Sequence, residues 1–139
     1  MQGYKYNKPI EVRYADADMM RHVNNAKFLT YIEHARGEYF TQSCSWDWYK
    51  LGMVLARTEI DYKKPILLSS HPVVWIRTVK IGKTSFTQQN LIAETGQPEV
   101  IYAEATNVLV HVDYSTGRPL PIPEKIKDAI RQYEDGLFH

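Results

Sequence analysis

Only one cysteine, Cys44, occurs in the 139 residues, so an internal disulfide is impossible. Charge of one sign is not in excess either. Seventeen Lys and Arg stand against sixteen Asp and Glu, a formal charge of +1, with no dense basic run of the kind that grips a phosphate backbone. Nucleic acid is therefore not an expected partner. No stretch approaches the roughly eighteen consecutive apolar residues of a membrane span, and the opening MQGYKYNKP lacks the apolar centre of a signal peptide. A soluble, cytoplasmic protein with no membrane partner is expected.

Several catalytic signatures are missing as well. There is no HExxH and no Cys/His cluster: His22, His34, His71 and His111 are widely spaced and His139 is terminal, so no metal site is expected. The Gly-x-Ser-x-Gly elbow of serine hydrolases and the Gly-x-Gly-x-x-Gly dinucleotide loop are absent. Cys44 reads as a small core residue rather than a nucleophile.

What remains is 44% hydrophobic and 24% charged, enough for one domain over residues 1–139 with a core that needs no staple. Ten Tyr and three Trp combine large apolar surfaces with polar handles, as subunit interfaces and organic-ligand pockets do. Ile10 to Tyr14 alternates and predicts a first strand. Phe28, Leu29, Ile32, Ala35, Tyr39 and Phe40 then recur at helical spacing, predicting one long amphipathic helix with Asn24 or Asn25 as its cap. A connection over Ser43 to Gly52 follows. Four strands are expected near Val54–Tyr62, Val73–Ile81, Ser85–Ala93 and Val100–Val112, with Arg77 and Lys80 on opposite faces of theirs. Asp113 to Arg118 reads as a turn, and Pro123 as the first residue of a terminal helix ending near Tyr133. One helix followed by consecutive strands is an α+β pattern, an antiparallel sheet packed on a helix.

The chemistry-bearing segment lies between first strand and long helix: Arg13-Tyr14-Ala15-Asp16-Ala17-Asp18-Met19-Met20-Arg21-His22-Val23-Asn24-Asn25-Ala26. Backbone amides at a helix start favour negative charge, so those of Asn24 and Asn25 are candidates to polarise an acyl carbonyl. Asp18 could take a proton from water or attack an acyl carbon itself. His22 could orient Asp18, a water or the substrate carbonyl, and Asp16 reads as a support. Such residues also cap helices and turns with no catalytic role.

With Val12 to Asp18, His22-Val23-Asn24-Asn25-Ala26 and Tyr31-Ile32-Glu33-His34-Ala35-Arg36 in this order, the chain resembles the hotdog-fold acyl-CoA thioesterases of the 4-hydroxybenzoyl-CoA thioesterase superfamily. Asp61 to Pro65, Gly82 to Phe86 and Gly117 to Pro123 extend the resemblance over nearly the whole chain. It implies a hotdog fold, a curved antiparallel sheet wrapped around a long central helix. It also implies a homodimer joined at the sheet edge, with two active sites at the interface and pairing of dimers into a tetramer as an option. In that family the acid at Asp18 is the catalytic carboxylate, and the amide near Asn25 meets the thioester carbonyl. The CoA moiety belongs to the substrate, and no separate cofactor is expected. Two departures stand out: many relatives have Gly where this chain has Arg21, and plant acyl-carrier-protein thioesterases have an amide where it has Met20.

Lys80, Lys83, Arg77, Lys64 and Arg21 are candidates to meet CoA phosphates, with Ser85 beside them in the Gly82 to Phe86 turn. Glu59 reads as a solvent-facing strand carboxylate. Trp46, Trp48, Tyr49 and Phe40 are divided between core and acyl pocket. Two alternatives to hydrolysis remain: a noncatalytic acyl-thioester-binding protein, and a dehydratase or hydratase of the same fold.

Overall fold

The structure, a computed structural model, describes residues 1–135; His139 lies outside them. Chain order is β1 (Tyr6–Pro9), a single 3-10 turn (Tyr14–Asp16), α1 (Asn25–Cys44), β2 (Gly52–Tyr62), β3 (Pro72–Ile81), β4 (Ser85–Glu94), β5 (Gln97–Val112) and α2 (Glu124–Glu134). The strands form one antiparallel sheet in the order β1-β3-β4-β5-β2. This is the hotdog arrangement, with α1 as the filling.

α1 forms because Phe28, Tyr31, Ile32, Ala35, Tyr39 and Phe40 fall on one side of a 3.6-residue period and are all buried. Asn24 caps it, its side-chain oxygen accepting from Ala26 N–H at 3.0 Å. The other end closes on Ser45, at φ 52°, whose N–H meets the last carbonyls. At twenty residues the helix runs roughly 30 Å, the length of the sheet beneath it.

The expected first strand is displaced. Pairing covers Tyr6 to Pro9, opposite Ile76 to Val73, and Ile10 to Tyr14 lies outside it. The alternation there is real, since Ile10 and Val12 pack on the core. However, β3 begins at Pro72, and after Ile10 N–H has met Pro72 O no ladder partner remains. Tyr6 is anchored instead by burial and by its hydroxyl donating to Ala35 O at 3.1 Å. The later strands start up to three residues earlier than expected and end within one, and Pro123 is the cap of α2 rather than its first helical residue.

Arg77 and Lys80 share a face, contrary to the two-residue alternation. A bulge at Val79 sets Arg77 opposite Gln89 and Lys80 opposite Thr87, so both point away from α1. Beside the bulge, Thr78 N–H donates to Glu134 Oε2 at 2.6 Å, and the Tyr39 hydroxyl bonds both Thr78 Oγ1 at 2.7 Å and Glu134 at 3.2 Å. Burial pushes the Glu134 carboxyl up from the ordinary carboxylate range, against these bonds. α2 is thus fastened to β3 and α1 by hydrogen bonds as well as by Ile126 and Ile130.

β2 is the open edge. It runs for eleven residues with no strand paired on its outer side among the described residues, and Val54 and Leu55 are 41% and 45% exposed. A long unpaired edge that opens on exposed apolar residues is a template for association.

Candidate active site

Three connections hold the segment before α1 in place. Val23 N–H donates to Ile66 O at 2.8 Å, Asn24 N–H to Asp16 O at 3.0 Å, and His22 forms a bridge with Leu67. Beneath them Asp16, only 1% exposed, accepts from the Tyr31 hydroxyl at 2.6 Å and from Arg13 N–H at 3.0 Å, and pairs with the Arg13 guanidinium at 3.2 Å. Burial alone raises an acid's pKa; here the Tyr31 and Arg13 bonds outweigh it and hold the Asp16 carboxyl below its ordinary range. Burial, reinforced by the same contact with Asp16, drives the Tyr31 hydroxyl far upward.

Above this support the chain reverses over Asp18 to His22. Asp18 N–H donates to His22 O at 2.8 Å and Arg21 N–H to Asp18 O at 3.0 Å. The side-chain Oδ1 of Asp18 accepts from Met20 N–H at 2.9 Å and His22 N–H at 3.1 Å. One carboxylate oxygen therefore fixes the loop, and the other, Oδ2, accepts no hydrogen bond among the described residues. His22 reaches Asp18 through its main chain; the ring makes no bond to the carboxylate. Arg21 sits at φ 64°, in the region that favours glycine. The departure at this position thus costs conformational energy. Arg21→Gly is expected to raise stability by up to about 1 kcal/mol, read as a later denaturation midpoint; an earlier midpoint would show that the arginine side chain stabilises more than its backbone strains.

Asp18, His22, Val23, Asn24, Asn25 and Pro65 line one cleft of about 320 Å³. Asn24 and Asn25 occupy it as the cap and first residue of α1. Asn24 is engaged by its capping bond, whereas among the described residues no acceptor takes the Asn25 N–H, and the Tyr62 hydroxyl donates to Asn25 O at 3.3 Å. An unpaired amide at the positive end of a helix beside an exposed carboxylate is a site that can bind a carbonyl oxygen and act on its carbon.

Lys80, Lys83 and Ser85 do not join this group within one chain. Ser85 pairs with Val110 at the sheet end where β2 begins, while Asp18 lies by Ile66 and Leu67, just beyond the end of β2. The intervening strands put roughly 30 Å between the two. Glu59 faces outward and pairs with Arg57. Of the aromatic set, Phe40 and Trp46 are core and Tyr49 is fully exposed. Only Trp48 lines a pocket, a groove of about 520 Å³ between α1 and β2 shared with Glu33, Arg36, Gly37, Met53, Val54, Leu55 and Leu109. The groove, and the Asp16 to Tyr31 bond, went unread in the sequence. Arg36 carried a signal all the same, since it falls beside Ile32, Ala35 and Tyr39 on the buried stripe of α1. Among the described residues no three His, Cys, Asp or Glu side chains are grouped to hold a metal, and no helix is long and apolar enough to cross a membrane.

A curved sheet around one long helix, with a carboxylate loop and an unpaired amide at the helix start, defines a hotdog-fold protein. The chain belongs to the thioesterase-like superfamily, whose model matches residues 12–130. A solved structure from Thermus thermophilus, described as a thioesterase complexed with coenzyme A and Zn, is 40% identical over 96% of this chain and 97% of its own, with a TM-score of 0.84. The long-chain acyl-CoA thioesterase FadM of Escherichia coli is 27% identical over 88% of this chain and 95% of its own length. The acyl-CoA thioesterase YbgC of Haemophilus influenzae is 28% identical over 89% and 93%.

Proposed function

We propose that this protein is an acyl-CoA thioesterase that cleaves its substrate to free CoA and a carboxylic acid. The observation that carries the reading is the pairing, in one cleft, of a carboxylate with one uncommitted oxygen and an unpaired helix-start N–H. The carbonyl oxygen accepts from Asn25 N–H, which becomes a stronger interaction as negative charge builds on that oxygen. Asp18 Oδ2 takes a proton from water as hydroxide adds to the carbonyl carbon; the intermediate then collapses, the C–S bond breaks, and the CoA thiolate recovers the proton. The same geometry suits direct attack by Asp18 on the carbonyl carbon, which breaks the C–S bond and releases the CoA thiolate as a mixed anhydride forms; water then hydrolyses the anhydride to the carboxylic acid, regenerating the Asp18 carboxylate and supplying the proton that the thiolate takes up. Asn24 holds the helix start, and the His22 ring, lining the cleft, is placed to contact substrate or water.

The working unit in this reading is at least a dimer, joined along the open β2 edges. Antiparallel pairing of two β2 strands sets the beginning of one beside the end of the other. The partner's sheet end that carries Lys80, Lys83 and Ser85 is thereby brought to the side of Asp18, where those residues and Arg21 are placed for CoA phosphates. The CoA moiety is substrate, no step is assigned to a separate cofactor, and a cytoplasmic location accords with this substrate.

Thiol release measured with short, medium, long and aromatic acyl-CoAs tests the activity. Turnover of at least one acyl class is expected. Reversible hydration of enoyl-CoA without thiol release would replace hydrolysis with dehydratase chemistry, and binding without turnover would make the protein an acyl-thioester carrier.

A further inference from the structure

Arg36 is 8% exposed, and its Nε has no hydrogen-bond partner among the described residues. Burial lowers its pKa while the field of Glu33 opposes this, yet no ion pair joins the two within the chain. A buried guanidinium is normally matched by an acceptor. Arg36 lines the groove between α1 and β2, where the other walls are mostly apolar and Glu33, one helical turn earlier, is exposed. Gly37 lies beside it in the middle of α1, a position where glycine weakens a helix. A Cβ there would meet nothing within 4 Å among the described residues, so none of them requires the glycine. A groove that holds an unmatched cation, a free carboxylate one turn away and a bare stretch of helix backbone is complementary to itself.

We infer that this groove is closed by a second copy of the chain, in which each Arg36 donates to the partner subunit's Glu33 across a two-fold axis while the two helices approach at Gly37. Two residues one turn apart satisfy a two-fold contact reciprocally, the first of one chain meeting the second of the other. The groove also includes Met53, Val54 and Leu55, so one axis serves both this contact and pairing of the β2 edges. An aliphatic acyl chain in the groove would leave the guanidinium with no acceptor; a second copy supplies one. The inference rests on the dimeric reading above and adds what makes the dimer specific.

The test uses charge reversal in two separate chains. Glu33→Arg alone sets four cations at the axis, and Arg36→Glu alone sets four carboxylates; each is expected to weaken self-association by at least about thirty-fold, from the cost of unpairing a buried interfacial charge. Mixed one to one, the two variants place opposite charges at both contacts, so heterodimers visible by native mass spectrometry, with recovered thiol release, are expected. Gly37→Ala should weaken the dimer while leaving the helix content unchanged. Should Arg36→Glu fail to fold, Glu33→Gln and Arg36→Met, measured by sedimentation, carry the same expectation of weaker self-association. Variants as dimeric as the wild type, or folded monomers that do not pair on mixing, would overturn the inference while leaving the thioesterase reading intact. A wild-type chain that is monomeric and active would overturn both this contact and the proposed dimer.

Discussion

Asp18→Asn is expected to reduce thiol release by about 10²- to 10⁴-fold, the range over which a positioned acid or base contributes, with the fold and the oligomeric state unchanged. The choice of asparagine follows from the loop geometry. Asp18 Oδ1 accepts the N–H groups of Met20 and His22, and an amide oxygen can keep both bonds. What the substitution removes is the second carboxylate oxygen, the one left free for water or for the acyl carbon. Alanine would remove the loop bonds too, so its loss of activity would mix chemistry with misplacement. Circular dichroism and sedimentation of the Asn variant confirm that only chemistry has changed. Turnover equal to the wild type on the best substrate would show that Asp18 does not drive cleavage.

Asp16→Ala is expected to lower stability by about 3 kcal/mol at neutral pH. It strands the buried Tyr31 hydroxyl, a loss of about 1–3 kcal/mol, and also frees the part-buried Arg13 N–H. The pH dependence gives the signature. The folded state holds the Asp16 carboxyl below its ordinary value of 3.8, so its stabilisation is present above that value and is lost as pH falls through the lower, folded one. The gap between the denaturation midpoints of wild type and variant should therefore be wide at pH 7 and narrow progressively as the pH falls below 3.8. A gap that stays constant on acidification would mean that packing, not the ionised carboxylate, carries the effect. Activity should fall as well, because losing the side-chain bonds to Tyr31 and Arg13 loosens the turn whose main-chain carbonyl accepts from Asn24 N–H and which leads directly into the Asp18 loop.

Much of the site is legible in the chain itself. Asp18, His22, Asn24 and Asn25 converge because they are neighbours in sequence, and a helix that starts at an asparagine cap exposes its first amides wherever it is packed. Lys80, Lys83 and Ser85 stand apart from them within one chain, because a sheet separates residues along its strands by about 3.4 Å each; only a second chain, as in the proposed dimer, can bring such residues to the same ligand. The Val79 bulge similarly brought Arg77 and Lys80 to one face, since a single unpaired residue shifts the two-residue period and no local signal marks it.

The central helix, the four long strands, the antiparallel α+β class and the loop that bears the acid are all written into the order of residues, because periodicity and capping act within a few neighbouring positions. Long-range packing was needed to establish where the first strand pairs, which oxygen of Asp18 remains free, that Tyr31 holds Asp16, and that Arg36 is buried facing an open groove. These depend on contacts between residues far apart in the chain, or between two chains, where the energy lies in matching surfaces rather than in any local preference.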